Sequence, residues 1–205
     1  MENKKVAIIT GAAGGIGLAT ARKFAENNFC IALSDINGEG LHKAVEILAK
    51  EYQADCLICH GNLEDIHDIE NIVEQTLAKW GRIDVLVNNA AWRTIETMRT
   101  ISLKNWEKTL RINLTAPAFL AKYVAAAMEE KKIAGVILNI SSVMSQNAAG
   151  YSPAYIACKG GLESLTYELA TLYGPSGIRV VGVSPGNIET NLSNDYKDET
   201  GNNIS

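Results

Sequence analysis

A glycine-rich turn near the amino terminus constrains the fold more than any other stretch of this sequence. It spans residues 10–17 and reads Thr-Gly-Ala-Ala-Gly-Gly-Ile-Gly. An uncharged run at 6–9 precedes it, typical of a strand buried on both faces, and apolar residues at helical spacing follow it. Glycines permit a sharp turn and the close approach of a phosphate, which the helix N-terminus binds. The pattern therefore predicts a dinucleotide site formed by Gly11, Ala13, Gly14, Gly15, Ile16 and Gly17.

The rest of the chain alternates between apolar strands and longer helices. Strands are predicted at residues 6–9, 29–34, 54–60, 83–87, 135–140 and 179–184. Helices are predicted between them, including two separate ones around 106–113 and 117–131 and a long one over 153–173. Such alternation predicts parallel strands joined by right-handed crossovers. We therefore expect an α/β fold with a doubly wound, Rossmann-like parallel sheet of order 3-2-1-4-5-6. No linker or repeat divides the 205 residues, so one domain is expected.

Charge and hydropathy narrow the class of partner. The net charge is −4, and the lysines and arginines are scattered rather than clustered, which disfavours nucleic acid and anionic membranes as partners. No apolar run approaches the roughly 20 residues of a membrane-spanning helix, and no signal peptide is recognisable. We therefore expect a cytoplasmic protein that binds a small molecule, with no nucleic acid or membrane partner.

The four cysteines do not form a disulfide framework in a chain of this length. Cys56 and Cys59 form a C-x-x-C followed by His60, which is compatible with a metal or redox site. The segment is predicted to be a strand, however, so the two thiols point to opposite faces. No second ligand pair is present to complete a zinc shell. We expect buried apolar cysteines and no metal, and we expect His42 and His67 to lie on helix surfaces.

Asp35 follows the second predicted strand, about twenty residues beyond the glycine turn. An acidic residue at this point accepts hydrogen bonds from the adenosine ribose hydroxyls and repels a 2′-phosphate. The next residue is Ile36, where a phosphate-bearing cofactor would favour arginine or lysine. The sequence therefore predicts NAD rather than NADP as the cofactor. The alternative is a solvated aspartate at a strand end.

A reactive pair is predicted on the long helix, where Tyr155 and Lys159 are four residues apart and share one face. A free tyrosine, with a pKa of about 10, is a poor base near neutral pH. A neighbouring ammonium favours the phenolate and lowers that pKa. Ser142 lies thirteen residues before Tyr155, after the fifth strand, where its hydroxyl can bond a substrate oxygen. In isolation, a tyrosine–lysine pair at this spacing is also common on helix surfaces.

Together with other motifs, these residues resemble the short-chain dehydrogenase/reductase family. The matching features, in order, are TGxxxGxG at 10–17, Asn-Asn-Ala at 88–90, Asn113, Ser142, Tyr155-x-x-x-Lys159 and Pro-Gly at 185–186. The resemblance covers nearly the whole chain. It implies an NAD-dependent oxidoreductase that transfers a hydride between nicotinamide and a secondary alcohol or ketone.

The resemblance also implies roles for individual residues. Tyr155 would be the general acid/base, and Lys159 would hold the nicotinamide ribose and lower the pKa of the tyrosine. Ser142 would position the substrate oxygen, and Asn113 would hold a water in a proton relay behind Lys159. Further cofactor contacts would come from residues that match the family motifs, namely Asn62, Leu63, Asn89, Ile188 and Thr190.

The substrate end of the site is less well determined by the sequence. Trp92 and Met144, with Tyr151, predict an apolar and partly aromatic pocket, in which Arg93 could meet an anionic group. Trp92 could equally be core packing, and Arg93 a surface residue. The helices around 117–131 and from 153 carry more apolar surface than one face needs. Relatives use them to form dimers and tetramers, so a homo-tetramer or homo-dimer is expected.

Two departures from the family pattern qualify the resemblance. Ala91 replaces the usual glycine after Asn-Asn-Ala, which adds one methyl group near the cofactor. The chain ends at Ser205, whereas relatives continue through a substrate lid, a seventh strand and a closing helix. Without that strand the sixth would be a hydrophobic sheet edge, which proteins avoid exposing. We therefore expect the sequence to lack its C-terminal strand and helix, and intact mass would test this.

Two other functions remain open at this stage. A 3-oxoacyl carrier-protein reductase fits the same motifs, although relatives with that activity usually prefer NADP, which disagrees with Asp35. A protein that binds the dinucleotide as a sensor, without turnover, fits the fold. Such a sensor has no need to keep Ser142, Tyr155 and Lys159 together.

Overall fold

A computed structural model describes residues 4–190 of the chain. Six strands form one sheet: β1 Val6–Thr10, β2 Cys30–Asp35, β3 Cys56–His60, β4 Val85–Asn88, β5 Val136–Ile140 and β6 Arg179–Val183. Six α-helices connect them: α1 Gly15–Glu26, α2 Gly38–Tyr52, α3 Ile66–Trp80, α4 Leu103–Leu110, α5 Ala116–Glu130 and α6 Pro153–Tyr173. Residues 191–205, at the end of the chain, lie outside the described residues.

All strand pairs are parallel, and the order is β3-β2-β1-β4-β5-β6. This confirms the predicted doubly wound sheet. The order reverses between β1 and β4, so the loops after these two strands separate and leave a crevice at the carboxyl end of the sheet. In the described part of the chain, β6 pairs with β5 alone, and its Val181 and Val183 are 42% and 43% exposed.

Two apolar cores cover the two faces of the sheet, which explains why β1 is buried along its whole length. Ile8 points into the core beneath α3, α5 and α6, where it joins residues such as Leu120 and Leu169. Its neighbour Ile9 points into the core beneath α1 and α2, with Leu41 and Leu48. Because successive side chains of β1 point to opposite faces of the sheet, this one strand contributes residues to both cores.

One local prediction is wrong. The helices expected separately around 106–113 and 117–131 are joined, because a π-helical turn, Arg111–Thr115, runs directly from α4 into α5. The backbone N–H of Ala116 bonds the carbonyl of Arg111, five residues back. Pro117 has no N–H to donate to the preceding turn, so the segment tolerates this wider register.

The two cysteines of the C-x-x-C point to opposite faces of the sheet, as predicted. Cys59 is buried in the core on the α3 side, whereas Cys56 packs against the core on the α1 and α2 side. Desolvation raises the pKa of each thiol to about 11, which keeps both protonated near neutral pH. His42 and His67 are exposed, as expected. Within residues 4–190, no group of three or more acidic, histidine or cysteine side chains is arranged to hold a metal, and no helix is long and apolar enough to cross a membrane.

Candidate active site

The glycine turn joins β1 to α1 and requires glycine at two positions for different reasons. Gly11 has φ +66°, a conformation that side chains rarely adopt, and a Cβ there would lie 2.9 Å from the Cα of Ala90. A Cβ on Gly17 would overlap the carbonyl oxygen of Gly11. Helix α1 then starts at Gly15 with no side-chain cap and no acidic residue in its first turn. Its N-terminal N–H groups therefore suit an anion such as a pyrophosphate.

The turn is held against the loop after β4 by polar contacts. The Thr10 hydroxyl accepts hydrogen bonds from the backbone N–H groups of Asn89 and Ala90, both at 3.0 Å. The Asn89 side-chain amide donates to the carbonyl oxygens of Thr10 at 2.9 Å and Gly11 at 3.3 Å. These bonds fix the two sides of the crevice relative to each other.

Asp35, at the end of β2, faces the same crevice. One carboxylate oxygen accepts a hydrogen bond from the Ala13 backbone N–H at 3.0 Å, and the other accepts one from Asn37 N–H at 2.9 Å. The carboxylate is therefore oriented by the glycine turn itself. Two bonds use only part of its capacity, since an ionised carboxylate has about four acceptor positions.

A cleft of about 950 Å³ opens at the carboxyl ends of the strands. It is large for a small-molecule site, as a dinucleotide with its substrate requires. Most of the predicted site residues line it together: Gly11, Ala13, Gly14, Gly15, Ile16, Asp35, Asn89, Ser142, Met144, Tyr155, Lys159, Ile188 and Thr190. A second pocket of about 730 Å³ beside α1 shares Gly15, Ile16, Ile188 and Thr190 with this cleft. Its lining contains neither Ser142 nor Tyr155.

Ser142, Tyr155 and Lys159 all line this cleft. Tyr155 is in the first turn of α6, and the Lys159 ammonium nitrogen, one turn later, lies 5.5 Å from the centre of its ring. Ser142 follows β5, and its Oγ accepts a hydrogen bond from the Met144 backbone N–H at 3.1 Å. This bond uses a lone pair of the hydroxyl and not its hydrogen, which Ser142 can donate to a ligand oxygen.

Lys159 is buried, with 2% of its surface exposed, and its Nζ donates to the carbonyl oxygen of Ile140 at 2.6 Å. Burial disfavours the charged form and lowers the pKa of Lys159 to about 8. The ammonium form therefore persists near neutral pH but is lost under mildly alkaline conditions.

Asn113 lies behind this group, inside the π-helical turn, and is fully buried. Its Nδ2 donates to the carbonyl oxygens of Trp92 at 2.6 Å and Thr109 at 2.9 Å. The backbone carbonyl of Asn113 cannot accept the usual α-helical hydrogen bond, because the residue four positions later is Pro117, which has no N–H to donate.

Some predicted site residues lie outside the described cleft lining. Gly17 and Asn113 are buried behind it. Asn62 and Leu63 follow β3, where Asn62 bonds Asp68 and Leu63 packs against a core. The Trp92 ring lies 4.7 Å from the Lys108 ammonium. Trp92 is half-buried and belongs to neither apolar core, so both alternatives stated for it stay predictions.

The structure also adds residues to the site. Arg93 is only 8% exposed and lines the cleft, with its guanidinium carbon 5.9 Å from the centre of the Tyr155 ring, so the surface alternative for Arg93 is wrong. Asn187 and Glu189 also line the cleft. Their position after the Pro-Gly pair, among predicted cofactor contacts, was the available sequence signal.

The comparison with known proteins agrees with this geometry. A model of the family described as short chain dehydrogenase matches residues 5–201. The chain belongs to the short-chain dehydrogenase family. It is therefore an oxidoreductase by family, as the resemblance implied.

A protein from Thermotoga maritima described as an uncharacterized oxidoreductase is 38% identical over 190 residues, covering 93% of this chain and 73% of the relative.

Two solved structures are also similar. L-Sorbose reductase from Gluconobacter frateurii, complexed with NADPH and L-sorbose, has a TM-score of 0.91 and 28% identity, covering 96% of this chain and 74% of that one. An NAD⁺-bound xylitol dehydrogenase has a TM-score of 0.88 and 29% identity, covering 96% and 76%. One relative thus binds NAD⁺ and another NADPH, so membership of the family does not decide the cofactor.

Proposed function

We propose that this chain is an NAD-dependent dehydrogenase that transfers a hydride between nicotinamide and a secondary alcohol or ketone. The observation that carries the proposal is the shared cleft, which joins a phosphate-binding turn and Asp35 to Ser142, Tyr155 and Lys159. A sensor without turnover has no use for the last three residues in a dinucleotide cleft.

A bound nicotinamide supplies or accepts the hydride at its C4 atom. In the direction of ketone reduction, the Tyr155 hydroxyl gives its proton to the carbonyl oxygen, and in oxidation the phenolate removes the proton from the alcohol. The Lys159 ammonium, 5.5 Å from the ring, favours the phenolate. Ser142 donates its hydroxyl hydrogen to the substrate oxygen, which fixes the reacting carbon beside the nicotinamide.

Asn113 has a proposed role in returning the proton to solvent. Its side chain is used in bonds to the backbone, but Pro117 leaves its carbonyl oxygen without an α-helical donor. We propose that this oxygen holds a water near Lys159. The water would connect the lysine, and through it Tyr155, to solvent.

NAD is proposed rather than NADP because the acceptor at the end of β2 is anionic. Asp35 is held by two backbone N–H groups, so it cannot swing away from an incoming 2′-phosphate without losing both bonds. Ile36 beside it is 63% exposed and provides no positive charge. Asn62, Leu63 and Asn89 are proposed on the adenosine side, and Ile188 and Thr190 on the nicotinamide side.

The substrate is proposed to be a small alcohol or ketone whose far end meets Met144, Tyr151 and Arg93, which line the cleft beyond the reacting groups. Arg93 favours substrates with an anionic or strongly polar group at that end. A cytoplasmic homo-tetramer or homo-dimer is the proposed form.

The test is a screen of alcohols and ketones with NAD⁺ and NADH, followed at the nicotinamide absorbance band. Tyr155→Phe is expected to lower turnover by about a thousandfold or more, because it removes the only proton that the ring can exchange. NADH binding should change by less than about twofold, because the ring stays in place. Full turnover in this variant would contradict the proposed function.

A further inference from the structure

Glu163 lies on α6, one helical turn beyond Lys159, and receives an unusual set of hydrogen bonds. Its Oε1 accepts bonds from the hydroxyls of Ser145 at 2.6 Å, Ser184 at 2.9 Å and Ser141 at 3.1 Å. One carboxylate oxygen thus accepts hydrogen bonds from residues at the ends of two strands and in the turn after β5.

This arrangement requires an ionised carboxylate. The Ser145 hydroxyl is the largest of the influences that hold the pKa of Glu163 below its usual value. Gln146 Nε2 adds a longer contact, 3.5 Å from Oε2. All of these neighbours donate, and an ionised carboxylate is the one side chain that only accepts. A glutamine at this position would be neutral and would bring two N–H donors of its own.

The bonds join two neighbouring segments of the cleft lining, one after β5 and one after β6. On the β5 side, two of the serines flank Ser142 in the sequence. On the β6 side, Ser184 precedes the segment 185–190, which lines the cleft. A backbone bond from Val143 N–H to the Pro185 carbonyl, at 3.1 Å, is a second link between the two sides.

The same face of α6 bonds the end of β5 at two further points. The Ser141 hydroxyl lies 3.2 Å from the carbonyl oxygen of Lys159, and Lys159 Nζ donates to the Ile140 carbonyl at 2.6 Å. Both Glu163, through Ser184, and the Ser141 backbone N–H, through the Val183 carbonyl, also reach the β6 side. Glu163 lies one helical turn from Lys159. Its bonds therefore couple the distance between Lys159 and Ser142 to the position of the segment 185–190.

We propose that Glu163 is a positioning residue, which fixes Ser142 and the segment 185–190 relative to Lys159 through its bonds to Ser141, Ser145 and Ser184. The proposal rests on the function proposed above, because Ser142 faces the substrate and the segment faces nicotinamide in that function. It assigns to Glu163 the alignment of the substrate with the nicotinamide half of the cofactor. The adenosine half, held by the glycine turn and Asp35, does not depend on it.

The experiment compares two ligands that share the adenosine half. NADH binding is measured by nicotinamide fluorescence, and ADP-ribose, which lacks nicotinamide, by calorimetry. Glu163→Gln is expected to weaken NADH binding by about fivefold to tenfold and ADP-ribose binding by less than about twofold, with turnover about tenfold lower. A residue that only stabilised the fold would weaken both ligands alike.

Glu168→Gln, exposed on the same helix, is the matched control and should leave both affinities unchanged. If Glu163→Gln unfolds, Ser184→Ala carries the test, since it removes one bond at an exposed residue and should weaken NADH alone by about twofold to threefold. Equal changes for NADH and ADP-ribose, or none for either, overturn the proposal alone. A wild-type protein that binds no NADH overturns the proposed function as well.

Discussion

Lys159 shows a conflict between stability and function in a single side chain. Its buried ammonium donates a hydrogen bond to the Ile140 backbone carbonyl, and burial has lowered its pKa from 10.5 to about 8. A charged lysine in such a place destabilises the fold near neutral pH. The proposed chemistry explains why the chain keeps it, because an ammonium is needed beside Tyr155.

Lysine burial predicts a specific pH dependence of stability. Between the folded pKa of about 8 and the unfolded value of 10.5, the unfolded chain binds more protons, so this group makes the protein more stable as pH rises. Lys159→Met lacks this effect. The free energy of unfolding of the wild type, relative to Lys159→Met, should rise by about 2.5 kcal/mol from about pH 7 to pH 10 in urea titrations without cofactor. The free energy of unfolding of Lys50→Met, which changes an exposed lysine, should vary with pH as that of the wild type does. If Lys159→Met and the wild type also showed the same pH dependence, the lowered pKa assigned to Lys159 would be contradicted.

Cofactor choice is also argued at the scale of one or two residues. Asp35 is aimed at the cleft by two backbone N–H groups, and Ile36 is exposed beside it. Asp35→Ser with Ile36→Arg removes the repulsion of a 2′-phosphate and adds a bidentate donor. The ratio of kcat/KM for NADP to that for NAD should rise by about a hundredfold or more, measured with one substrate. Equal use of the two cofactors by the wild type would contradict the NAD assignment.

Residues that line the cleft as part of a local motif were predictable from the sequence, and residues whose burial or bonding depends on three-dimensional contacts were not. Gly11, Asp35 and Tyr155 carry their signal in spacing along the chain, because a turn, a strand end and a helix face are local features. Arg93 left two readings open, since burial depends on the loops that fold over it. Glu163 has a sequence signal only in its place one turn beyond Lys159, and the serines that bond it are 18 to 22 positions away.

At the scale of elements, periodicity predicted the strands and helices but not the way two helices join. The apolar spacing on either side of residues 111–115 fits two helices, and Pro117 indicates a break. The structure keeps the chain helical there by widening one turn. The buried amide of Asn113, bonded to Trp92 and Thr109, explains the advantage of the wider turn, because it connects the loop after β4 to the helix. Such a tertiary contact leaves no periodic signal.

At the scale of the whole molecule, the topology followed from simple rules. Strands separated by helices must run parallel, and right-handed crossovers from a central β1 leave few possible orders. The crevice at the reversal between β1 and β4 then fixes where the site lies. What these rules do not provide is whether copies of the chain associate and by which surface, because that depends on which apolar side chains remain exposed.

The outer faces of α5 and α6 supply the evidence for assembly. Phe119 is 37% exposed, Tyr167 75% and Leu172 58%, which is unusual exposure for large apolar side chains on two neighbouring helices. A symmetric contact between copies would bury them. The wild type should therefore elute as a dimer or tetramer in size-exclusion chromatography with light scattering. Tyr167→Asp places a charge on this surface and should shift the population to a smaller species, while Glu168→Gln should not. A monomeric wild type, or an unchanged oligomer in Tyr167→Asp, would contradict the assignment of this surface.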